Sequence, residues 1–334
     1  MMNDEYQNSN LSEIDKKKNK KAVLVTGGSG FIASHLVDRL IKLGYFVINI
    51  DRLDYCSYDN TKNINNSYKF IHGNIANKEL ITFILNEYCV ESVFHLAAQT
   101  HVDNSFYNSI NFTYDNIVGT HILLECVREY KLKENTTFEK FIHMSTDEVY
   151  GEITEGGTEC TENSVLKPTN PYAATKASAE LIAQSYNHSF GMPIVISRGN
   201  NVYGPNQYPE KLIPRFIKLL KEDKKVTIQG DGSCVRAFLH AHDTATAFIK
   251  ILEKGKIGEI YNIGCDEGME YSVMEVAKIL IKLIKKTEDY DKWISYIEDR
   301  PFNDQRYYIS NKKLRDLGWD IKIKFMDGIN ELIK

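Results

Sequence analysis

The sequence predicts an α/β fold, a doubly wound parallel sheet with a smaller, discontinuous C-terminal domain. Three observations carry that prediction. Short, continuous apolar runs such as Ala22-Val-Leu-Val-Thr26 read as strands covered on both faces. Amphipathic helical stretches of crossover length separate these runs. Beyond about residue 198 the alternation breaks, where Asn206, Pro209 and Pro214 punctuate a loop-and-helix region.

In chain order, residues 1–20 are polar and lack the apolar core of a secretory signal. Their basic run, Lys16, Lys17, Lys18, Lys20 and Lys21, reads as a solvated lead-in to the first strand. That strand ends in Gly27-Gly28-Ser29-Gly30-Phe31-Ile32-Ala33. A helix follows with Leu36, Val37, Leu40, Ile41 and Leu43 in phase, and Gly44 stops it. Residues 46–50 form the second strand and close on Asp51. Further strands are expected at 69–72, 92–96, 141–145 and 194–197, with helices around 78–88, 112–130 and 172–190. In the second half, Val226–Gln229 reads as a strand running into the turn Gly230-Asp231-Gly232. Residues 260–264 return to the large sheet, and 272–286 form an amphipathic helix. The expected division is a tail (1–20), a nucleotide-binding domain (21–197 plus about 236–266) and a substrate domain (about 198–235 and 267–334).

Composition narrows the class. Of 334 residues, 43% are hydrophobic and 26% charged, which suits a globular core. A net charge of −4 gives no electrostatic reason to expect nucleic acid or an anionic membrane as partner, and no apolar stretch approaches the roughly 18–20 residues of a membrane span. The six cysteines, Cys56, Cys89, Cys126, Cys160, Cys234 and Cys265, are scattered without a C-x-x-C pair. They read as free thiols in a reducing compartment, hence a cytoplasmic location.

The first turn has the spacing Gly27-x-x-Gly30-x-x-Ala33 between a strand and a helix, with Asp51 at the end of the next strand. Glycines there let the backbone approach a pyrophosphate, which sits on the helix N-terminus. Asp51 accepts from both ribose hydroxyls and repels a 2′-phosphate, so the pattern predicts a Rossmann site for NAD, although Arg52 next door is a residue that can serve NADP. Asn74-Ile75 should flank the adenine, and Leu96-Ala97-Ala98 should pass close to the cofactor.

Asn170-Pro171 provides an N-cap and a first-turn proline, so a helix starts there. Tyr172 and Lys176, at i and i+4, then share one face. An ammonium about 4 Å from a phenol, at an effective dielectric near 20, lowers its pKa by at most roughly three units, which makes tyrosinate an attainable base. Thr146 ends the strand 141–145 at the carboxyl edge, where ligands bind such sheets. Its hydroxyl can hold the oxygen that Tyr172 deprotonates. Asp147 and Glu148 follow at once. An ordinary alcohol dehydrogenase has no use for them, so they point to elimination of water. His240-x-His242 has no accompanying ligand pattern, and no metal is expected.

These residues fall in ordered motifs: T-G-G-S-G-F-I-A (26–33), H-L-A-A-Q-T-H-V-D (95–103), S-T-D-E-V-Y-G (145–151), P-Y-A-A-T-K-A-S-A-E (171–180), R-G-N-N-V-Y-G-P-N-Q (198–207), P-E-K-L-I-P (209–214) and R-P-F-N-D-Q-R-Y (300–307). From Lys21 to near the C-terminus the chain resembles the extended short-chain dehydrogenase/reductases, specifically the nucleotide-sugar 4,6-dehydratases. Related epimerases and decarboxylases lack the Asp-Glu pair, and GDP-mannose dehydratases carry only the Glu. Leu53-Asp54-Tyr55-Cys56-Ser57, Gln99-Thr100 and Phe302-Asn303 are more similar to eukaryotic UDP-glucose 4,6-dehydratases of rhamnose synthesis than to bacterial dTDP-glucose enzymes.

The resemblance implies oxidation of a hexose at carbon 4, loss of water across carbons 5 and 6, and return of hydride to carbon 6. Tyr172 would take the hydroxyl proton, Glu148 the carbon-5 proton, and Asp147 would protonate the departing hydroxyl. It further implies that Thr100 and Asn201 contact the sugar or phosphates, that Lys211, Leu212, Thr227, Ile228 and Gln229 line the nucleotide end, and that Arg236 and Arg300 clamp the diphosphate. Asn74 stands where the family usually has Asp. UDP-glucose is the expected substrate, with dTDP-glucose the alternative, and a homodimer through two long helices is expected. The rival readings are a nucleotide-sugar epimerase and a non-catalytic NAD-sensing protein.

Overall fold

The computed structural model describes residues 20–58, 66–153, 157–299, 302 and 304–334. Its centre is a seven-stranded sheet of β1 (Ala22–Thr26), β2 (Phe46–Asp51), β3 (Tyr68–His72), β4 (Ser92–His95), β5 (Lys140–Thr146), β6 (Ile194–Gly199) and β10 (Ile260–Ile263). The order is β10-β6-β5-β4-β1-β2-β3, with every neighbouring pair parallel. Every residue of β1, β2, β4 and β6 is buried, as their continuous apolar runs require of a sheet covered on both faces. The strand order reverses between β1 and β4, which places the ligand crevice at the carboxyl ends there.

Helices Phe31–Lys42 and Ala241–Lys254 cover one face, through Leu36, Val37, Leu40, Phe248 and Ile251. Helices Lys78–Glu87, Gly119–Lys131 and Pro171–Phe190 cover the other, through Ile81, Ile84, Leu123, Val127, Ala183 and Tyr186. The helix expected at 112–130 begins with a π turn, Thr113–Val118. That turn rotates buried Asn116 to donate to the Gln99 carbonyl and accept from the Gln99 N–H, fixing the loop after β4.

A second core lies in the C-terminal half. It joins helices Leu212–Lys221, Val273–Lys285 and Phe325–Ile333 to a two-stranded parallel sheet, β8 (Val226–Gln229) and β12 (Ile294–Ile297). Between the two cores, β9 (Val235–His240) pairs with β7 (Asn201–Tyr203) and β11 (Glu270–Ser272) in a three-stranded sheet. So within the span 236–266, β10 completes the large sheet while β9 does not. The three-residue strands β7 and β11 are too short to show a period and exist because β9 lies between them. Gly230 and Gly232 take left-handed conformations (φ +56° and +75°), as the turn after β8 requires.

Candidate active site

A cleft of about 510 Å³ opens at the carboxyl ends of the central strands and runs between the two cores. Gly27, Gly30, Phe31, Ile32, Asp51, Asn74, Ile75, Leu96, Ala97 and Ala98 line one end. Thr100, Asn201, Lys211, Leu212, Thr227, Gln229 and Arg236 line the other, and Thr146, Glu148, Tyr172 and Lys176 lie between. Arg300 and Asn303 lie outside the described residues. Ile228 is buried behind the wall in the second core.

The glycine turn fits a dinucleotide. Gly27 sits at φ +69°, and a Cβ there would lie 2.8 Å from the Ala97 Cα, so only glycine keeps this turn against the loop after β4. Gly30 caps the helix Phe31–Lys42 without any side-chain hydrogen bond, so its first amides carry their partial positive charge toward the cleft. The Asp51 carboxylate is held by the N–H groups of Ser29 (3.0 Å) and Leu53 (2.8 Å) while still lining the cleft. Arg52 pairs with Asp115 at 2.7 Å and Asp54 at 2.8 Å, which commits its guanidinium elsewhere than a 2′-phosphate. Asn74 Oδ1 accepts from the Ala76 N–H and keeps a second lone pair for an adenine amino group.

The reactive groups hang on three adjoining elements. β5 ends at Thr146, a 3₁₀ turn carries Asp147–Tyr150, and the helix Pro171–Phe190 supplies Tyr172 and Lys176. That helix starts as its cap predicts: Asn170 Oδ1 accepts from the Ala173 N–H at 2.8 Å. The same amide spends its Nδ2 on Glu148 Oε2 at 3.0 Å, so one asparagine both begins the helix and orients the base.

The two acids do not face the same way. Glu148 is half-buried on the cleft wall, whereas Asp147, 2% exposed, is turned one layer behind it. Neighbouring side chains in a three-residue turn diverge by about 120°, which the expectation of two acids side by side over the sugar overlooks. Asp147 Oδ2 accepts from Asn200 Nδ2 at 2.7 Å, and Oδ1 accepts from the Thr146 hydroxyl at 3.1 Å. Burial, and then the charge of Glu148, push Asp147 up to about 7. Burial also raises Glu148, against the pull of Asn170 and Arg236.

Lys176 differs from the expectation as well. Its ammonium donates to the Met144 carbonyl at 2.6 Å, and burial lowers it to about 8. The Tyr172 phenol is raised above its ordinary value by burial and then by the Glu148 carboxylate, with a hydrogen bond to Thr146 opposing them. Desolvation thus dominates the resting phenol, which becomes a base only when positive charge stands beside it.

Sequence reasoning passed over Asn200, although it lies inside the R-G-N-N motif, because nothing in the motif says which asparagine turns inward. It also passed over Asp304, buried on the cleft wall, whose carboxylate accepts from Thr169 and from the Tyr307 phenol. Arg236, the expected phosphate clamp, lies over the Tyr307 ring at 5.1 Å and lowers both acids by its charge. His240 accepts from the His242 N–H and approaches Glu331 at 3.4 Å, an arrangement of a helix cap.

Fold and site together are those of an extended short-chain dehydrogenase/reductase, a nucleotide-binding sheet with a second domain closing over its carboxyl edge. The chain belongs to the GDP-mannose 4,6 dehydratase family, whose model matches residues 24–332. It is 46% identical over 322 residues to a dTDP-D-glucose 4,6-dehydratase of Bos taurus, covering 94% of this chain and 88% of that one. It is also 46% identical over 319 residues to a trifunctional UDP-glucose 4,6-dehydratase/3,5-epimerase/reductase of Arabidopsis thaliana, covering 93% of this chain and 46% of that one. The chain therefore spans about half the length of the Arabidopsis relatives it matches. Among solved structures, a dTDP-glucose 4,6-dehydratase of Streptomyces venezuelae with NAD and TYD bound superposes with TM-score 0.85 at 34% identity, covering 93% of this chain and 95% of that one. A UDP-glucose 4-epimerase of Thermotoga maritima superposes with TM-score 0.83 at 31% identity, covering 93% and 97%.

Proposed function

We propose that the protein is an NAD-dependent nucleotide-sugar 4,6-dehydratase converting UDP-glucose to UDP-4-keto-6-deoxyglucose, the first step of a rhamnose-type deoxysugar route. The observation that carries this reading is the pair of burial-raised carboxyls beside Tyr172, each oriented by its own asparagine. An epimerase on this scaffold has no proton to remove at carbon 5 and no hydroxyl to expel.

Gly27, Gly30, Asp51, Asn74 and the wall Leu96–Ala98 would hold NAD, which when bound would supply the hydride acceptor for carbon 4 and the hydride returned to carbon 6. Tyr172 takes the carbon-4 hydroxyl proton, with Thr146 holding the same oxygen. The carbonyl so formed acidifies the neighbouring hydrogen, which Glu148 removes. Asp147 protonates the departing hydroxyl, and Glu148 returns its proton to carbon 5, so the chemistry balances without net oxidation. Arg236, with Arg300, binds the diphosphate. Thr100 and Asn201 meet the sugar and phosphates, and Lys211, Leu212, Thr227, Gln229 and Asn303 meet the nucleotide end.

The domain division at about residues 198, 236 and 266, a cytoplasmic location and a homodimer belong to the same reading. Ile110, Tyr114, Val118 and Leu181 are large apolar side chains exposed along the helical segments 109–131 and 171–190, a face that suits a second copy. Among the described residues no helix is long and apolar enough to cross a membrane.

Side-by-side turnover of UDP-glucose and dTDP-glucose, with product mass read for loss of one water, tests the function and the base preference together. A UDP-galactose product without water loss would establish the epimerase instead.

A further inference from the structure

The two half-reactions draw on groups carried by different elements. Tyr172 and Lys176, which serve the oxidation, ride on the helix Pro171–Phe190, and Asp147 and Glu148, which serve the elimination, ride on the 3₁₀ turn Asp147–Tyr150. A turn of this kind has poor hydrogen-bond geometry of its own, so whatever holds its last residue decides where its acids point. That residue, Tyr150, is buried, and the charged Arg198 of β6 is buried beside it.

One guanidinium joins the two elements. In the register of the central sheet Arg198 lies between Ser145 of β5 and Asn262 of β10. Its Nε donates to both oxygens of Glu180 at 3.1 Å, and its Nη2 donates to Glu180 Oε1. Glu180 is fully buried and follows Tyr172 and Lys176 at successive i+4 steps, so it continues their helix face. Nη1 addresses the acid turn instead, donating to the Tyr150 phenol at 2.7 Å and to the Glu162 carbonyl at 3.1 Å. The guanidinium carbon stands 4.7 Å from the centre of the Tyr150 ring. Burial pushes that phenol up to about 12, so it keeps its proton and donates it to Asn262 Oδ1 at 2.8 Å. Asn262 Nδ2 donates to the Cys160 carbonyl at 3.3 Å, which fixes the orientation of the amide. Stability does not account for the arrangement, because a buried ion pair gains little over apolar residues of the same volume. Direction does. A planar fork addresses two elements at a fixed angle, which an ammonium cannot do.

We propose that Arg198 is a positioning residue for the elimination of water, and that through the Tyr150 phenol it holds the turn bearing Asp147 and Glu148 at a fixed angle to the helix bearing Tyr172. No proton or hydride passes through Arg198 or Tyr150; both act through the two acids. This rests on the dehydratase reading and adds to it a clamp that keeps the eliminating groups in register with the oxidising ones.

Tyr150→Phe cuts the clamp with little other disturbance. The ring stays in its cluster with Val149, Ala177 and Ile309, and Arg198 keeps Glu180 and the Glu162 carbonyl. In a single turnover of the NAD-loaded variant with UDP-glucose, NADH should form within about threefold of the wild-type rate, whereas water loss should slow at least about tenfold, so that NADH persists. KM for the sugar nucleotide should stay within about threefold, since the acids are displaced and the binding wall is not. NADH formation needs the folded nucleotide domain and is the control for folding. Arg198→Lys keeps a charge opposite Glu180 but has no second edge for Tyr150, and it should show the same split. If NADH decays at the wild-type rate in both variants, or if both steps slow alike in Tyr150→Phe, the clamp is overturned and the dehydratase reading stands. Wild-type enzyme that neither forms NADH nor loses water with UDP-glucose or dTDP-glucose overturns that reading, and the clamp with it.

Discussion

The two ends of the cleft are built differently. From the dinucleotide end to the middle of the cleft each functional group rides on the carboxyl end of a strand of the central sheet or on the first two turns of a 20-residue helix: Asp51 on β2, Thr146 on β5, Tyr172 and Lys176 on the helix Pro171–Phe190. At the other end Asn201, Thr227, Gln229 and Arg236 ride on strands of the two small sheets outside it, whose pairings join distant parts of the chain. The first construction fixes geometry for bond making. The second encloses a nucleotide through many moderate contacts. Substitutions at the first end should therefore fall on kcat, and those at the second on KM.

The sharpest break should come from Tyr172→Phe, which removes the proton acceptor while retaining the ring packed edge-on against Phe112. We expect kcat to fall by about 10³-fold, with no NADH formed in a single turnover and substrate affinity little changed. Glu148→Gln should follow, at about 10²–10³-fold in kcat, because the amide keeps the Asn170 contact but cannot take a proton. NADH should accumulate, and solvent deuterium should not enter carbon 5; unimpaired exchange there would remove Glu148 from this role. In the wild type the acid limb of kcat should lie above the usual carboxylate range, since burial raises Glu148 and the base must be charged.

Arg236→Ala tests the opposite end. It should raise KM for the nucleotide sugar by roughly 10–100-fold and leave kcat within several-fold, as expected for uniform binding lost. A change confined to kcat would erase the contrast between the two ends.

The smallest expected effect is on stability. Asp147 titrates near 7 in the fold against an ordinary 3.8. The folded state thus holds a proton the unfolded chain gives up, and its contribution to stability is fully present below about pH 4 and lost as pH rises through about 7. Asp147→Asn should accordingly raise thermal stability at about pH 8, by on the order of 2–4 kcal/mol at most, with the gain fading toward pH 4. Melting curves across that range check the sign.

The same contrast explains what could be read beforehand. Strands β1, β2, β4, β5 and β6 and the helices following β1, β3 and the Asn170-Pro171 cap announce themselves in consecutive residues, through apolar runs, a 3.6-residue period or a capping dipeptide. So does Gly27-x-x-Gly30 with Asp51, because a phosphate turn is a local structure. Strands β7, β11 and β12, and the six-residue helix Val102–Tyr107, carry no comparable signal and are stabilised by partners far along the chain. Asn200 belongs with them, since its amide is oriented by the Cys265 N–H, 65 residues away. The helix Phe325–Ile333 does carry a signal, with Phe325, Ile329, Leu332 and Ile333 in phase, and sequence reasoning passed over it.

By itself, then, the sequence determined which chemistry is present: a dinucleotide turn, a Tyr–Lys face, and a hydroxyl followed by two acids at a strand end. Tertiary structure alone decided how those groups divide the work. A short helical turn sends adjacent side chains apart, and burial moves proton affinities by amounts that only the surrounding packing sets. Glu148 consequently meets the cleft while Asp147 is buried off its wall and bonded to Thr146, and Lys176 donates to the Met144 backbone carbonyl. Charge and reach belong to a residue type. Desolvation and direction belong to the fold.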